Sequence, residues 1–245
     1  TGGMVKRLSC RKQCCTGKEI IMSFNIAIDG PSGAGKSTIA KRLANELSFV
    51  YVDTGAMYRA MALYFLRKQI APQDETAIAA ACDQIDITIA YEDGVQCVIL
   101  NGENVNAYLR AEEVGNMASS TSIYPCVRTK LTALQQKLAK TSDVIMDGRD
   151  IGTCVLPKAQ VKIYLTADVA ARAKRRYDEL IKKGVEADYA QIEADIRKRD
   201  NRDMHREISP LRQAEDAILV DSSHLSIEEV LAVLRDIYKK AEGNK

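Results

Sequence analysis

The sequence predicts an α/β fold built on a doubly wound parallel sheet of five strands flanked by helices. Short apolar runs alternate with longer segments of helical periodicity, a pattern typical of parallel strands joined by crossover helices. A glycine-rich segment, GPSGAGKST (Gly30 to Thr38), follows the first apolar run and precedes the first helical pattern. With 245 residues, the chain is long enough to bury most of its apolar surface in one principal domain.

The elements follow one another in a regular order. Strands are predicted at residues 24 to 29, 49 to 53, 144 to 148, 161 to 166 and 217 to 221. Helices are predicted at residues 36 to 47, 57 to 67, 126 to 140, 169 to 182, 189 to 206 and 227 to 240. Residues 85 to 105 interrupt this order with two β-rich runs around Glu92-Asp93-Gly94, a hairpin turn signal. We therefore expect a small β insertion that could cover the sheet.

Composition and charge exclude several classes of protein. The 35 basic and 33 acidic side chains nearly cancel, which leaves no global field to attract nucleic acid or an anionic membrane. No apolar run reaches the roughly 18 residues that span a bilayer. The seven cysteines are odd in number and mostly scattered, unlike a secreted disulfide framework. We expect a cytoplasmic protein, with residues 1 to 21 as a flexible N-terminal extension.

The glycine-rich segment matches the phosphate-binding P-loop pattern GxxxxGK[ST] in full. Its glycines let successive backbone N–H groups point at phosphate oxygens, and the helix that follows adds its positive dipole end. Lys36 is expected to bridge the β- and γ-phosphates of ATP, and Ser37 to ligate Mg²⁺. A dinucleotide fingerprint fits less well, because Thr38 stands where its third glycine should be. The expected nucleotide-binding residues are Gly30, Pro31, Ser32, Gly33, Ala34, Gly35, Lys36, Ser37 and Thr38.

A P-loop does not by itself say where the phosphoryl group goes. A guanine-nucleotide switch would need an NKxD motif, which the sequence lacks. Motor ATPases are usually larger than this chain. A phosphotransferase with its own acceptor pocket is therefore favoured, and a nucleotide-dependent binding or switch protein stays open as the alternative from another class.

Polar residues follow two of the predicted strands. Thr54 and Arg59 come after the second strand, at the edge where open α/β sheets bind ligands, although a helix cap with a solvated arginine is the simpler alternative. Asp147 ends an apolar run that resembles a Walker B strand, whose carboxylate orients Mg²⁺. Arg149 and Asp150 follow it. Charged residues at a buried strand end are costly unless they are paired or functional.

The segment from Arg172 to Arg206 is rich in charge, with eleven basic and eight acidic residues. A solvated helix face is the simpler interpretation. However, Arg172, Arg175 and Arg176 are spaced at i, i+3 and i+4 with no acid among them, so they repel unless an anion arrives. A second set, Arg199, Asp203 and Arg206, has the spacing of one helix face. We expect a helical lid that closes arginines over phosphates.

The chain contains the segments IAIDGPSGAGKST, VDTGAMYRA, NGENVN, DGRDIGT, RRYDEL and IRKRDNRDMHREISPLRQAEDAILVDSS. Together they resemble the bacterial cytidylate kinases of the nucleoside monophosphate kinase family, over about residues 23 to 240. The resemblance is specific, since other monophosphate kinases share the P-loop but lack DTGAMYR, DGRDIGT and RDxxD. It implies a P-loop kinase fold and transfer of a phosphoryl group from ATP to CMP or dCMP with Mg²⁺. The same chemistry on another acceptor remains the nearest alternative.

The resemblance also implies how the acceptor is bound. Ser119, Arg128 and Asp150 would read the cytosine, whose N4 amino group and N3 and O2 acceptors complement them. The sugar would be held by Arg199 and Asp203. The residues expected to hold the CMP phosphate are Thr54, Arg59, Arg149 and Arg206.

The remaining implications concern catalysis and organisation. The expected catalytic residues are Lys36, Arg149, Arg206 and the lid residue Arg176, and the expected metal ligands are Ser37 and Asp147. Residues 22 to 84 and 143 to 245 would form the core, with the lid at about 172 to 206, and residues 85 to 142 the CMP-binding insertion. We expect a monomer whose partners are small-molecule substrates.

Overall fold

A computed structural model of the chain describes residues 23–92 and 94–243. The predicted N-terminal extension at residues 1 to 21 lies outside the described residues. The strands are β1 (Asn25–Asp29), β2 (Val50–Asp53), β3 (Ile87–Glu92), β4 (Val95–Leu100), β5 (Glu103–Asn104), β6 (Val144–Gly148), β7 (Val161–Thr166) and β8 (Ile218–Asp221). The α-helices are α1 (Lys36–Leu47), α2 (Thr54–Arg67), α3 (Glu75–Gln84), α4 (Glu112–Thr121), α5 (Pro125–Thr141), α6 (Val169–Lys182), α7 (Tyr189–His205) and α8 (Ile227–Glu242).

Five strands form the main sheet in the order β2-β6-β1-β7-β8, and every pair is parallel. This confirms the predicted fold class. In the register of the sheet, Asp29 lies opposite Gly148, and Asp53 lies opposite Asp147. Because the carboxyl ends of parallel strands share one edge, these residues lie together at the edge where α/β sheets bind ligands.

The sheet is buried on both faces, as its apolar strands require. One core cluster joins alternate residues of β1, β2 and β6 to α2, α3 and α5. The other joins the opposite face of β1 and β7 to α1 and α8. Ile26, Ala27 and Ile28 of the central strand are fully buried, which explains why this strand reads as an unbroken apolar run. Among the described helices, none is long and apolar enough to cross a membrane.

The predicted hairpin forms a separate antiparallel sheet in the order β3-β4-β5. Of its turn residues, Asp93 lies outside the described residues, and Gly94 has a left-handed φ of 76°. Gln96 attaches this small sheet to the main one, because its Oε1 accepts a hydrogen bond from the Asp53 amide at 2.8 Å. The strand pairing is as the sequence indicates; the division into core, insertion and lid stays a prediction.

Several boundaries differ from the prediction. Helix α2 begins at Thr54 rather than Met57, because the Asp53 carboxylate accepts a hydrogen bond from the Ala56 amide at 2.9 Å and caps the helix. Helices α3 and α4 were not predicted. A π-helical turn, Ile151–Val155, follows β6. Helix α7 ends at His205, so the expected single helix face of Arg199, Asp203 and Arg206 is wrong for Arg206, which has extended backbone.

Candidate active site

The P-loop connects β1 to α1 and depends on glycines for its shape. Gly30, Gly33 and Gly35 have φ values of 149°, 78° and 92°, a region that side chains disfavour. A Cβ at Gly30 would also lie 1.9 Å from the carbonyl oxygen of Leu165. Both the backbone conformation and the close approach to β7 therefore require glycine at this position.

Lys36 is buried at the end of this loop, with 6% of its surface exposed. Its Nζ donates a hydrogen bond to the carbonyl oxygen of Pro31 at 2.7 Å. Burial, followed by the nearby charge of Arg149, lowers the pKa of Lys36 well below its usual value. A negatively charged ligand would reverse that shift, so the site favours anion binding beside the ammonium group.

Ser37 and Asp147 place two oxygen atoms beside the P-loop. The Ser37 hydroxyl donates to Asp147 Oδ2 at 2.7 Å, and the Tyr51 hydroxyl donates to Oδ1 at 3.0 Å. Burial, reinforced by the charge of Asp53, raises the pKa of Asp147 to about 6. Hydroxyl and carboxylate oxygens are the ligands that Mg²⁺ prefers, so this pair fits the expected metal site.

One cavity of about 670 Å³ contains almost all of the predicted site. Of the predicted residues, only Gly30 and Pro31 are not in its lining. The predicted residues that line it are Ser32, Gly33, Ala34, Gly35, Lys36, Ser37, Thr38, Thr54, Arg59, Ser119, Arg128, Asp147, Arg149, Asp150, Arg176, Arg199, Asp203 and Arg206. Residues that are far apart in the chain therefore converge at the carboxyl edge of the sheet.

Four arginines line the cavity close to one another: Arg59, Arg110, Arg149 and Arg199. Arg149 Nε donates to Asp203 Oδ2 at 3.0 Å. Within the described residues, the other three arginines have no ion-pair partner. Burial, followed by the charge of Arg149, lowers the pKa of Arg199 to about 10. The cluster carries an excess of positive charge that a phosphate group would neutralise.

Arg128 and Asp150 form a buried ion pair at one end of the cavity. Arg128 Nη2 donates to Asp150 Oδ2, and Arg128 Nη1 donates to the carbonyl oxygen of Ser122 at 3.1 Å. The guanidinium group also lies 5.7 Å from the centre of the Tyr58 ring. A donor and an acceptor are thus held in fixed positions beside an aromatic ring.

Two further polar side chains at this end have unused hydrogen-bonding capacity. The buried Ser119 hydroxyl has no partner among the described residues. Arg206 Nε donates to the carbonyl oxygen of Ser209 at 2.7 Å, whereas its buried Nη2 has no hydrogen bond and lies 3.7 Å from Asp150 Oδ1. The structure therefore places Arg206 beside the expected base-reading residues, although the sequence assigned it to the phosphate.

The interpretation of Arg172 as an unpaired lid residue is wrong. Arg172 Nη2 donates to Asp200 Oδ2 at 2.6 Å, and only 4% of the arginine side chain is exposed. Its Nη1 donates to the carbonyl oxygen of Ser32 in the P-loop at 3.0 Å. Arg172 therefore ties α6 to both α7 and the P-loop, through a partner that spacing within one helix could not reveal.

The other two lid arginines also have partners. Arg175 donates to the hydroxyl of Ser222 at 3.3 Å and to its carbonyl oxygen at 2.5 Å. Arg176 Nη1 donates to Glu179 Oε2 at 3.1 Å, in a pair that is about half exposed. Exposed pairs of this kind are weak, so Arg176 remains free to exchange its partner for a phosphate.

Thr54 occupies the predicted place but its hydroxyl is already engaged. It is 3% exposed, and its Oγ1 donates to the carbonyl oxygen of Asp147 at 2.6 Å. This bond fixes the start of α2 against the end of β6. Binding of a phosphate by the Thr54 hydroxyl would require that donor to change its partner.

Sequence reasoning missed Asp29, which connects two parts of the site. Its carboxylate accepts hydrogen bonds from the amides of Ile151 at 2.8 Å and Gly152 at 2.7 Å. Burial raises the pKa of Asp29 to about 6. The strand that leads into the P-loop thereby positions the turn that carries Arg149 and Asp150. The only signal in the sequence was a carboxylate at the end of an apolar strand.

Three other features of the cavity were also missed. Arg110 belongs to none of the motifs. Tyr58 lies within DTGAMYR, but no role was assigned to it. Beyond the P-loop, the lining continues along the start of α8. The apolar side chains there are Leu225, Ile227 and Val230. The sequence placed Ile227 and Val230 on a predicted helix, and nothing in it marked the three residues as a cavity wall.

A P-loop over a parallel sheet, with cationic and base-complementary groups across one cavity, defines a nucleotide-binding phosphotransferase site. The chain matches the cytidylate kinase family over residues 26–240. It is 52% identical over 222 residues to a cytidylate kinase of Caldicellulosiruptor bescii, covering 91% of this chain and 98% of that protein. It is 50% identical over 214 residues to a cytidylate kinase of Carboxydothermus hydrogenoformans, covering 87% and 96%. The chain therefore belongs to the cytidylate kinase family.

Proposed function

We propose that this chain transfers the γ-phosphoryl group of ATP to CMP or dCMP, giving ADP and CDP or dCDP. The observation that carries the proposal is a single cavity whose lining includes both the P-loop and the buried Arg128–Asp150 pair. The arginine cluster lines the same cavity, and Arg149 lies close enough to Lys36 for its charge to reinforce burial in lowering the pKa of the lysine. One nucleotide bound at the P-loop and a second bound at the Arg128–Asp150 pair would therefore bring their phosphates together beside those arginines.

ATP would bind with its phosphates in the P-loop and its adenine against Leu225, Ile227 and Val230. The inward-facing backbone amides of the loop would hold the phosphate oxygens, and Lys36 would exchange its bond to Pro31 for one to the transferred group. This exchange needs no large movement of the backbone, because the ammonium group already lies within the loop.

Mg²⁺ would be held by Ser37 and Asp147, whose oxygen atoms lie 2.7 Å apart. When bound, it would neutralise charge on the phosphates of ATP. Burial raises the pKa of Asp147 to about 6, and a nearby divalent cation would lower that pKa and favour the carboxylate.

The cytosine would be read by Ser119, Arg128 and Asp150. The N4 amino group of cytosine can donate to the Asp150 carboxylate, while Arg128 and the unpartnered Ser119 hydroxyl can donate to the N3 and O2 acceptors. Uracil would instead set its O4 acceptor against the carboxylate. Arg206 lies close enough to Asp150 to hold the charge of that carboxylate in place.

The remaining residues would bind the sugar and the phosphates. Arg199 and Asp203 would hold the sugar, and Arg59 and Arg149 the acceptor phosphate, with Thr54 nearby. A phosphate oxygen of CMP would attack the γ-phosphorus of ATP as the bond to the bridging oxygen breaks. The attacking oxygen is already anionic, so no strong general base is needed, and positioning and charge neutralisation supply the catalysis. Arg176 could reach the transferred group when the lid closes.

The wider setting is part of the same proposal. We propose a monomeric cytoplasmic enzyme of pyrimidine nucleotide metabolism, with residues 85 to 142 as its CMP-binding insertion and residues 172 to 206 as its lid. Its partners would be ATP and the monophosphate, with no nucleic acid or membrane partner.

A coupled assay of ADP release tests this proposal with CMP, dCMP, UMP and AMP as acceptors. We expect the largest kcat/KM for CMP or dCMP, and little ADP release when no acceptor is present. A preference for AMP would overturn the assignment of the base-reading residues. Slow ATP hydrolysis that no monophosphate accelerates would instead indicate a nucleotide-dependent switch.

A further inference from the structure

A second cavity of about 410 Å³ adjoins the base-reading end of the first. It lies between α7, the connection from α2 to α3, and the junction of α4 with α5. Ser119 lines the first cavity and Ser120 the second, while Arg206 lines both. The two cavities are therefore neighbours that share one cationic side chain.

The lining of the second cavity is cationic. It contains Arg202, His205 and Arg206, and none of the described residues that line it is acidic. The neutral polar residues of its lining are Gln73, Ser120, Tyr124 and Asn201. His205 lies in the last turn of α7.

Arg202 has no strong partner at this site. Its Nη1 lies 3.5 Å from the Ser120 hydroxyl, at the limit of a hydrogen bond, and its buried Nε has no partner among the described residues. No carboxylate of the described chain forms an ion pair with it. A half-buried guanidinium group in this state is unfavourable until an acceptor occupies the space beside it.

The tautomer of His205 leaves one ring nitrogen available. Its Nδ1 lies 2.8 Å from the carbonyl oxygen of Asn201, which can only accept, so Nδ1 carries the hydrogen. Protonation of Nε2 would give the ring a second donor. Arg202 and His205 are three residues apart on α7, a spacing that places both side chains on the same side of the helix.

We propose that the second cavity is a binding site for a small phosphate-class oxyanion, held by Arg202 and His205. The ligand is separate from both nucleotides of the transfer reaction, whose phosphates lie beside the P-loop and the arginine cluster. Its charge would also attract Arg206, whose Nη2 has no hydrogen bond and lies 3.7 Å from Asp150 Oδ1. Occupancy would therefore weaken acceptor binding; this coupling, unlike the binding itself, rests on the proposed function.

Histidine NMR gives a direct test, because the chain has only two histidines. The probe is inorganic phosphate, titrated into the full-length protein while the ring signals of His205 and His224 are followed. His224 is a reference for the first cavity, because Ser222 and Leu225, on either side of it in the chain, line that cavity. We expect saturable shifts of the His205 signal as phosphate is added.

The variant Arg202→Gln separates this site from the first cavity. We expect it to raise the Kd for phosphate measured at His205 about tenfold. The variant Lys36→Met, which impairs the P-loop, should leave the His205 titration unchanged. The proposal is overturned if the His205 signal does not shift, or if R202Q leaves the titration unaltered while K36M abolishes it.

A kinetic arm measures the coupling. In the intact protein, phosphate should raise the KM for CMP through two routes, competition in the first cavity and attraction of Arg206 in the second. In R202Q, the KM for CMP measured without phosphate should be unchanged. Added phosphate should raise that KM less than it does in the intact protein. An unaltered phosphate effect in R202Q, alongside a normal His205 titration in the intact protein, would overturn the coupling but not the binding. Absence of any kinase activity would concern the proposed function alone.

Discussion

Arg149 Nε and Asp203 Oδ2 lie 3.0 Å apart and join the end of β6 to helix α7 across the cavity. Burial would raise the pKa of Asp203, but Arg149 and Arg199 hold it below its usual value. The carboxylate is therefore the charge that keeps two neighbouring arginines together. Its removal should disturb the acceptor side of the cavity more than the P-loop.

We expect Asp203→Asn to raise the KM for CMP about tenfold or more, with a KM for ATP within about twofold of the original. The loss of a charge-assisted hydrogen bond, worth about 1.5–3 kcal/mol, is the physical reason. Steady-state kinetics with each substrate varied in turn provide the measurement. Asp195→Asn, an exposed change on the same helix, is the matched control. An equal rise in the KM for CMP and the KM for ATP, with a lower Tm, would show that the Arg149–Asp203 pair is purely structural.

The charge of Asp150 should determine the choice of base. In Asp150→Asn the side-chain amide has only one acceptor oxygen, for which Arg128 and the cytosine amino group compete. We expect kcat/KM for CMP to fall about 10- to 100-fold, corresponding to about 1.4–2.8 kcal/mol. The amide can donate to O4 of uracil, so kcat/KM for UMP should fall less than kcat/KM for CMP. The ratio of the two kcat/KM values, CMP over UMP, should therefore fall. An unchanged ratio would argue against base reading by this residue.

Arg110 lines the cavity beside Arg59 and has no ion-pair partner among the described residues. We predict that it binds the acceptor phosphate. Arg110→Gln should raise the KM for CMP about tenfold. The inhibition constant of cytidine, which has no phosphate, should not change.

Arg212→Gln is the control for this variant, because Arg212 is exposed and does not line the cavity. Salt should weaken the binding of CMP less in R110Q than in the original protein, since one screened contact has been lost. A rise in the inhibition constant of cytidine equal to the rise in KM would instead place Arg110 at the base or the sugar.

Asp29 should make stability depend on pH. Its pKa is raised from about 3.8 to about 6 by burial, so between these values the folded protein retains a proton that the unfolded chain has released. The free energy of unfolding therefore decreases as the pH rises through this window, by up to about 3 kcal/mol from this group. Asp147 contributes in the same direction.

We expect Asp29→Asn to reduce the slope of the free energy of unfolding against pH by the equivalent of about one proton, because the amide does not titrate. Urea unfolding at several pH values between 4 and 6.5 measures the slope. Asp83→Asn, which alters an exposed carboxylate, should leave the slope unchanged. A slope in D29N equal to that of the original protein would show that Asp29 does not titrate in this range.

The sequence predicted those parts of the site that depend on local pattern. The P-loop spacing indicates which residues face a phosphate, and the apolar run at residues 144 to 146, which ends at Asp147, is typical of a buried strand. The start of α2 was placed three residues too late, because the Asp53 side chain caps a helix that begins at Thr54.

Contacts between distant segments could not be predicted. The partner of Arg172 is Asp200 on another helix. An arginine with no carboxylate at helical spacing in its own helix can therefore still form an ion pair with a distant segment. Arg110 lines the cavity from the connection between β5 and α4, and Asp29 acts through backbone amides more than 120 residues later. Periodicity carries no information on which chain segments meet across the edge of a sheet.

The central strand β1 pairs on both sides with strands that come late in the chain, β6 and β7, which begin at Val144 and Val161. During synthesis on the ribosome, β1 must therefore wait without a partner while more than a hundred further residues are made. Its apolar centre, Ile26 to Ile28, would be open to wrong pairing for that time. Chaperone dependence should accordingly be greatest for nascent chains that end before Val161, although these already contain the complete P-loop.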